Sequence, residues 1–162
     1  MIEYVNGYMV NSLDLRTGLG VFLQKKKPAW QYGAWNGVGG KIEPGETPEE
    51  AMCREFFEEA DVQTRPDEWE LAVVLQGDDF IVYNFRSVQS LEKMQECRTK
   101  TAEPIVIRSC ISMLTDAPVL ANMLWSLPMI LSQDIVFPII VSDFKRIGII
   151  DHPALQQATI KC

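Results

Sequence analysis

The segment from Gly40 to Val62, GKIEPGETPEEAMCREFFEEADV, decides how the rest of this 162-residue chain is read. Thr47 is a favourable N-cap, Pro48 suits the first helical position, and Glu50 follows three residues after the cap, which together make a capping box. Nothing from there to Ala60 breaks a helix. At about 100° per residue, Arg54, Glu58, Ala51, Glu55 and Glu59 fall on one face, and Met52, Phe56, Ala60, Cys53 and Phe57 form an apolar stripe on the other. Glu55, Glu58 and Glu59 therefore stand at i, i+3 and i+4, on the side away from the packing. Like charges so spaced repel by roughly 0.2–0.5 kcal/mol a pair, and carboxylates in the last turns face the negative end of the helix dipole. A cluster that breaks local rules is expected at a functional site. An oxygen-binding cation, Mg²⁺ or Mn²⁺, would remove the repulsion; a solvated acidic face is the plainer account of such a run.

The wider spacing separates these accounts. Gly40 is followed by five residues, Glu46, seven residues, Arg54-Glu55-Phe56, one residue, Glu58-Glu59, one residue, Asp61 and Val62. The run resembles the signature of the Nudix hydrolases, G-x5-E-x7-R-E-U-x-E-E-x-G-U with U a bulky apolar residue. It departs only at the last glycine, where Asp61 stands. The lead-in Trp35-Asn36-Gly37-Val38-Gly39-Gly40-Lys41 is similar to that of the MutT-like nucleoside triphosphate branch. A residue just past a helix often takes left-handed angles, which Asp adopts at a cost. Asp61 should thus affect the helix end and leave the carboxylate chemistry intact.

The resemblance implies an α/β/α sandwich with a mixed central sheet, an α/β (α+β) fold, over a single domain of residues 1–162. It implies hydrolysis at phosphorus of a nucleoside diphosphate joined to another group, with Glu55, Glu58, Glu59 and the Gly39 carbonyl holding divalent cations. The MutT-like branch points to a (d)NTP cut to (d)NMP and pyrophosphate, as in sanitising of the nucleotide pool. Arg54 is expected to pair with Glu46 and hold the loop against the helix; an ordinary i, i+4 pairing with Glu50 or Glu58 is the alternative. Glu103, just before an expected strand, is the preferred further acid outside the signature, with Asp78 and Asp79 competing from a hairpin tip. On the substrate side stand Gly40 and Lys41 of the lead-in. Asn36 matches an asparagine used against the base, and Asn122 and Trp125 lie where base-contacting side chains occur. Asn36 as a turn former and Trp125 as a core aromatic are the structural alternatives. Asn122 stands near the place of the carboxylates that read oxidised purines in some members, so recognition of oxidised bases is left open. Lys25, Lys26 and Lys27 read as a solvated loop.

The remaining composition limits the alternatives. A net charge of −7 argues against a polynucleotide binder and leaves a small nucleotide as the expected partner. No apolar run approaches the ~18 residues of a membrane span. The start, MIEYVNGYMV, is not expected to act as a signal peptide. Cys53, Cys97, Cys110 and Cys162 show no metal-like spacing, and reduced thiols in a cytoplasmic protein are the simplest expectation. The lone His152 gives no credible Ser-His or Cys-His nucleophile. Expected strands are residues 3–10, 20–24, 69–75, 80–86, 104–108 and 137–144, with a short helix within 90–100. Asp116 and Pro118 are expected to open a second long helix lined by Leu120, Leu124, Leu127 and Leu131, kinked at Pro128. A nucleotide-sugar or ADP-ribose pyrophosphatase and a non-catalytic nucleotide sensor are the competing functions. Whether the chain is a monomer or a homodimer stays open.

Overall fold

The computed structural model describes residues 1–145 and 148–150. His152 and Cys162 lie outside the described residues. The chain opens with strand β1, Ile2–Val10, then β2, Leu19–Gln24, and the short β3, Trp35–Asn36. Helix α1, Pro48–Ala60, follows. Next come β4, Glu70–Gln76, β5, Phe80–Val88, the short helix α2, Leu91–Gln95, and β6, Ile105–Ser109. Helix α3, Cys110–Asp116, β7, Val119–Leu120, helix α4, Met123–Ile130, β8, Ile139–Val141, and β9, Ile149–Ile150, complete it.

One mixed sheet joins the strands in the order β8-β4-β5-β1-β2-β3-β7-β9, and β6 runs antiparallel along β2. Its spine is the parallel pair β1 and β5, in register from Ile2 opposite Phe80 to Val10 opposite Val88. Alternation along β1 divides the interior. Val5 and Met9 pack with Met52 and Phe56 of α1, while Tyr8 and Val10 pack with Met113, Met123 and Leu127 of α3 and α4. Gly7 lies on the α1 side, where a Cβ would stand 2.6 Å from the Met52 sulfur and 2.8 Å from the Trp69 ring. The absence of a side chain there lets the helix and Trp69 close directly onto the strand. The layering is the expected α/β/α sandwich.

Three expected elements differ. The second long helix is two helices separated by a strand. Ala117 is extended, φ −121° and ψ 150°, because a residue before proline is pushed out of the α region, so Pro118 ends a helix instead of opening one. Leu120 consequently lies in β7, and Pro128 sits inside the shorter α4. Of residues 137–144 only Ile139–Val141 forms a strand, parallel to β4, and Phe144 turns away to pack edge-on against Phe80 and Trp125. Within residues 90–100 the helix is confined to Leu91–Gln95, capped by Ser90.

Candidate active site

Local rules set α1 as its sequence demands. Thr47 Oγ1 accepts from the Glu50 amide at 3.2 Å, and the Glu50 carboxylate accepts from the Thr47 amide at 2.8 Å. At the other end Asp61 adopts the left-handed conformation, φ 63° and ψ 21°, and pairs with Lys100 at 3.0 Å. The Lys100 ammonium also stands 4.2 Å from the centre of the Phe57 ring. Phe57 is thus exposed on the rim, outside the core stripe expected for it.

The two faces of α1 are less cleanly divided than the helical wheel implies. Glu55 is buried, because the loop bearing Gly39 and Gly40 folds across it. That loop runs antiparallel to β1, with bridges from Val38 to Gly7 and from Lys41 to Tyr4. The Val38 and Gly40 carbonyls bond to β1, so the alternate carbonyls of Gly39 and Lys41 are directed away from it. The Lys41 carbonyl accepts from Arg54 at 2.9 Å. A Cβ on Gly40 would overlap the Glu55 carboxylate, which fixes the closeness of loop and helix.

Arg54 organises this corner. Its guanidinium donates to both oxygens of Glu46, at 2.6 and 3.0 Å, to Glu55 at 2.9 Å and to Glu58 at 3.3 Å. Arg54 therefore makes both the expected pairing with Glu46 and the i, i+4 pairing with Glu58. Hydrogen bonds from Arg54 hold the Glu46 carboxyl below its ordinary range. Burial pushes Glu55 the other way, only partly opposed by Arg54, and Glu58 and Glu59 add to the rise. Glu58 is half exposed, and Glu59 accepts a 2.6 Å hydrogen bond from Thr101.

Among the described residues no group of three acidic, histidine or cysteine side chains is gathered around one point. The donor chemistry nevertheless fits a hard divalent cation. Glu55, Glu58 and Glu59 share one helical side, the Gly39 carbonyl turns away from β1 nearby, and Glu55 is a buried carboxylate whose desolvation Arg54 only partly offsets. Arg54 and Thr101 hold these carboxylates, so cation binding would compete with those bonds.

Glu103 lies close to the corner but faces elsewhere. Its backbone amide donates to Thr101 Oγ1, while its own carboxylate accepts from Lys25 Nζ at 3.0 Å and from the Lys26 and Lys27 amides at 2.7 and 3.3 Å. Burial would raise its pKa, but these donors outweigh burial and lower it. Glu103 thus clamps the lysine loop. Lys25 is consequently half-buried and paired rather than solvated. Asp78 and Asp79 are exposed at the hairpin tip.

A cavity of about 210 Å³ opens beside the Gly39–Gly40 loop on the far side of the sheet from α1. Asn36, Gly39, Gly40 and Asn122 line it, as do Lys25, Lys27, Trp30, Phe80 and Phe144. Lys41 is exposed outside it, and Trp125 does not line it, standing behind Phe144 with ring centres 6.1 Å apart. Sequence reasoning missed Asn6 and Asn84, which line the cavity from β1 and β5 and are both buried. An asparagine inside an otherwise apolar strand was the available signal.

Comparison with known proteins adds the family. A NUDIX domain family model matches residues 9–104. A 40-residue segment is 50% identical to an oxidized purine nucleoside triphosphate hydrolase of Danio rerio, spanning 25% of this chain and 26% of that protein. The structure is similar to that of a MutT protein from Bacillus halodurans, with TM-score 0.62 and 18% identity over 92% of this chain and 96% of the other. It is also similar to the NUDIX domain of Shewanella oneidensis NrtR solved with ADP ribose, with TM-score 0.65 and 14% identity over 80% and 85% of the two chains. At these identities the structural likeness is one of fold. A family match reaching from β1 to the residue before β6 makes this chain a member of the Nudix family.

Proposed function

We propose that the chain hydrolyses a nucleoside triphosphate to the monophosphate and pyrophosphate in a Mg²⁺-dependent reaction. The observation that carries this reading is the meeting of two surfaces at Gly39 and Gly40. Both residues line a base-sized cavity on one side, and Gly40 lies directly against the Glu55 carboxylate of α1 on the other. A nucleotide with its base in the cavity would carry its phosphates past this strip towards Glu55, Glu58 and Glu59. Glu55, Glu58 and Glu59 would hold a divalent cation, which would offset phosphate charge and lower the pKa of a water, favouring its deprotonated, nucleophilic form. The chain's own part is to place the donors. Arg54 ties Glu46, the Lys41 carbonyl and Glu55 together, so the loop cannot drift from the helix. Lys27 on the cavity wall adds positive charge, beside Lys25, whose ammonium is paired with Glu103. The net charge of −7 supports a small nucleotide as partner rather than a polynucleotide.

The test is release of pyrophosphate or phosphate from a panel of (deoxy)nucleoside triphosphates, ADP-ribose and nucleotide sugars with Mg²⁺. Pyrophosphate from triphosphates is the expected result, and Glu58→Gln or Glu59→Gln should remove most turnover in a folded protein. Full activity in both variants would show that α1 does not hold the cation. Cleavage of ADP-ribose alone, or of nothing in the panel, would replace the triphosphate reading.

A further inference from the structure

The segment between α2 and β6 lies along the C-terminal end of α1 and reaches the last of its three carboxylates. The Arg98 amide donates to the Ala60 carbonyl at 2.8 Å, and Lys100 lies against Asp61 and over the Phe57 ring. These contacts bring Thr101 beside Glu59. The Thr101 hydroxyl donates to Glu59 Oε2 at 2.6 Å, the short length expected where a hydroxyl meets a carboxylate. Its own oxygen accepts from the Glu103 amide at 3.1 Å. The amide can only donate and the carboxylate only accept, so the single hydroxyl proton has one place to go and the Thr101 side chain one orientation. The Glu103 backbone is itself anchored, because the Glu103 carboxylate is buried and accepts from Lys25 Nζ and from the Lys26 and Lys27 amides.

The consequence falls on Glu59. Arg54 holds both Glu55 and Glu58, but its guanidinium makes no hydrogen bond to Glu59, whose partner among the described residues is Thr101. With Oε2 held in this way, Oε1 is the oxygen left to reach a cation, and Thr101 competes with a cation only at Oε2. We infer that Thr101 is a positioning residue, which fixes the Glu59 carboxylate in the place from which it ligates a divalent cation. This rests on the cation site of the proposed hydrolase and adds a residue, outside α1 and its loop, that sets the geometry of that site. Glu59 is partly exposed, and without the hydroxyl its long side chain would sample several rotamers. A cation would then have to order the ligand as well as bind it. Thr101 acts through Glu59 and does not touch the cation itself.

Binding of Mn²⁺ to the protein without nucleotide, followed by the paramagnetic resonance signal of the free ion, reads the site apart from turnover. Thr101→Val keeps the shape of the side chain and removes its donor. It should weaken Mn²⁺ binding by about 10-fold, the lower end for loss of a partner that orients a ligand, because Thr101 and Glu59 both meet solvent. Thr101→Ser keeps the hydroxyl and should bind like the parent. In a Glu59→Gln protein the Thr101→Val change should cost no further affinity, whereas a merely structural role would cost as much in either background. Parent-like or tighter binding by Thr101→Val, a Thr101→Ser protein as weak as Thr101→Val, or an equal loss in the Glu59→Gln background overturns the positioning role. Should Thr101→Val fold poorly, Thr101→Ala carries the same expectations. Parent-like Mn²⁺ affinity in Glu59→Gln alone would remove the cation site, and the positioning role with it. Thr101-dependent Mn²⁺ binding in a protein that turns over no nucleotide would refute the hydrolase reading and leave the positioning role standing.

Discussion

Replacing Arg54 by Met tests how the acidic corner is held together. The Arg54 side chain is about one-fifth exposed, and its guanidinium donates to Glu46, Glu55, Glu58 and the Lys41 carbonyl. Glu58, half exposed, contributes little, because solvent screens such a pair. Glu46 and Glu55 are well covered, with side-chain exposures of 20% and 11%. Breaking a buried pair by removing one partner costs about 3–5 kcal/mol, and the partial exposure of Arg54 places this case at the lower end, about 3 kcal/mol. For a domain of this size that corresponds to a fall in melting temperature of about 6–12 °C. Glu55 would then lack its neutralising partner beside Glu58 and Glu59, so Mg²⁺ should recover more stability in the variant than in the parent. Calorimetric melting with and without Mg²⁺ measures both effects. A melting temperature within about 2 °C of the parent's would refute the account of Arg54 as the element joining loop to helix.

Three further outcomes follow from particular residues. Glu103→Gln should cost about 1–2 kcal/mol at pH 7 by loosening the Lys25–Lys27 loop. The folded pKa of Glu103 lies below its ordinary value of 4.5, so its contribution is present above that pH and is lost as the pH falls through the folded pKa. Urea titrations should therefore show the gap between parent and variant narrowing below pH 4.5, and a gap constant with pH would contradict the clamp. Asp61→Gly should raise the melting temperature by about 1–2 °C, since glycine takes the left-handed C-cap freely while the exposed Lys100 pair is worth little. A lower melting temperature would instead assign the helix end to Lys100. Gly40→Ala should reduce turnover sharply, because a methyl group there collides with the buried Glu55 carboxylate. Parent-like kcat in that variant would show that the loop can lift without consequence.

Helix α1 and its cap were legible because every signal for them is local, within a few residues of Thr47. The α/β/α layering and the Arg54 pairing with Glu46 were legible through family resemblance, since seven residues separate the partners and no periodicity links them. The cavity was largely illegible. Asn6, Phe80, Asn84 and Phe144 come from segments far apart in sequence and meet only when β1 pairs with β5 and Phe144 returns to Phe80. Glu103 shows the same gap: an acid before a strand was recognisable, but its bonds to Lys25, Lys26 and Lys27 cross about 77 residues. The helix misread at Pro118 had a local cause, because a proline both opens and closes helices and only the extended Ala117 distinguishes the two.

The alternation of β1 gives the molecule two separable inheritances. Odd positions, Val5, Gly7 and Met9, seat the helix that carries the acids, while of the even positions Asn6 lines the cavity and Tyr8 bonds Asn36 on its wall. A descendant could exchange Asn6 and alter the cavity wall without disturbing the seat of α1. An exchange at Gly7 or Met9 would disturb that seat whatever lines the cavity. Variation along this single strand should therefore be sorted by parity, with novelty tolerated on one side and purged on the other.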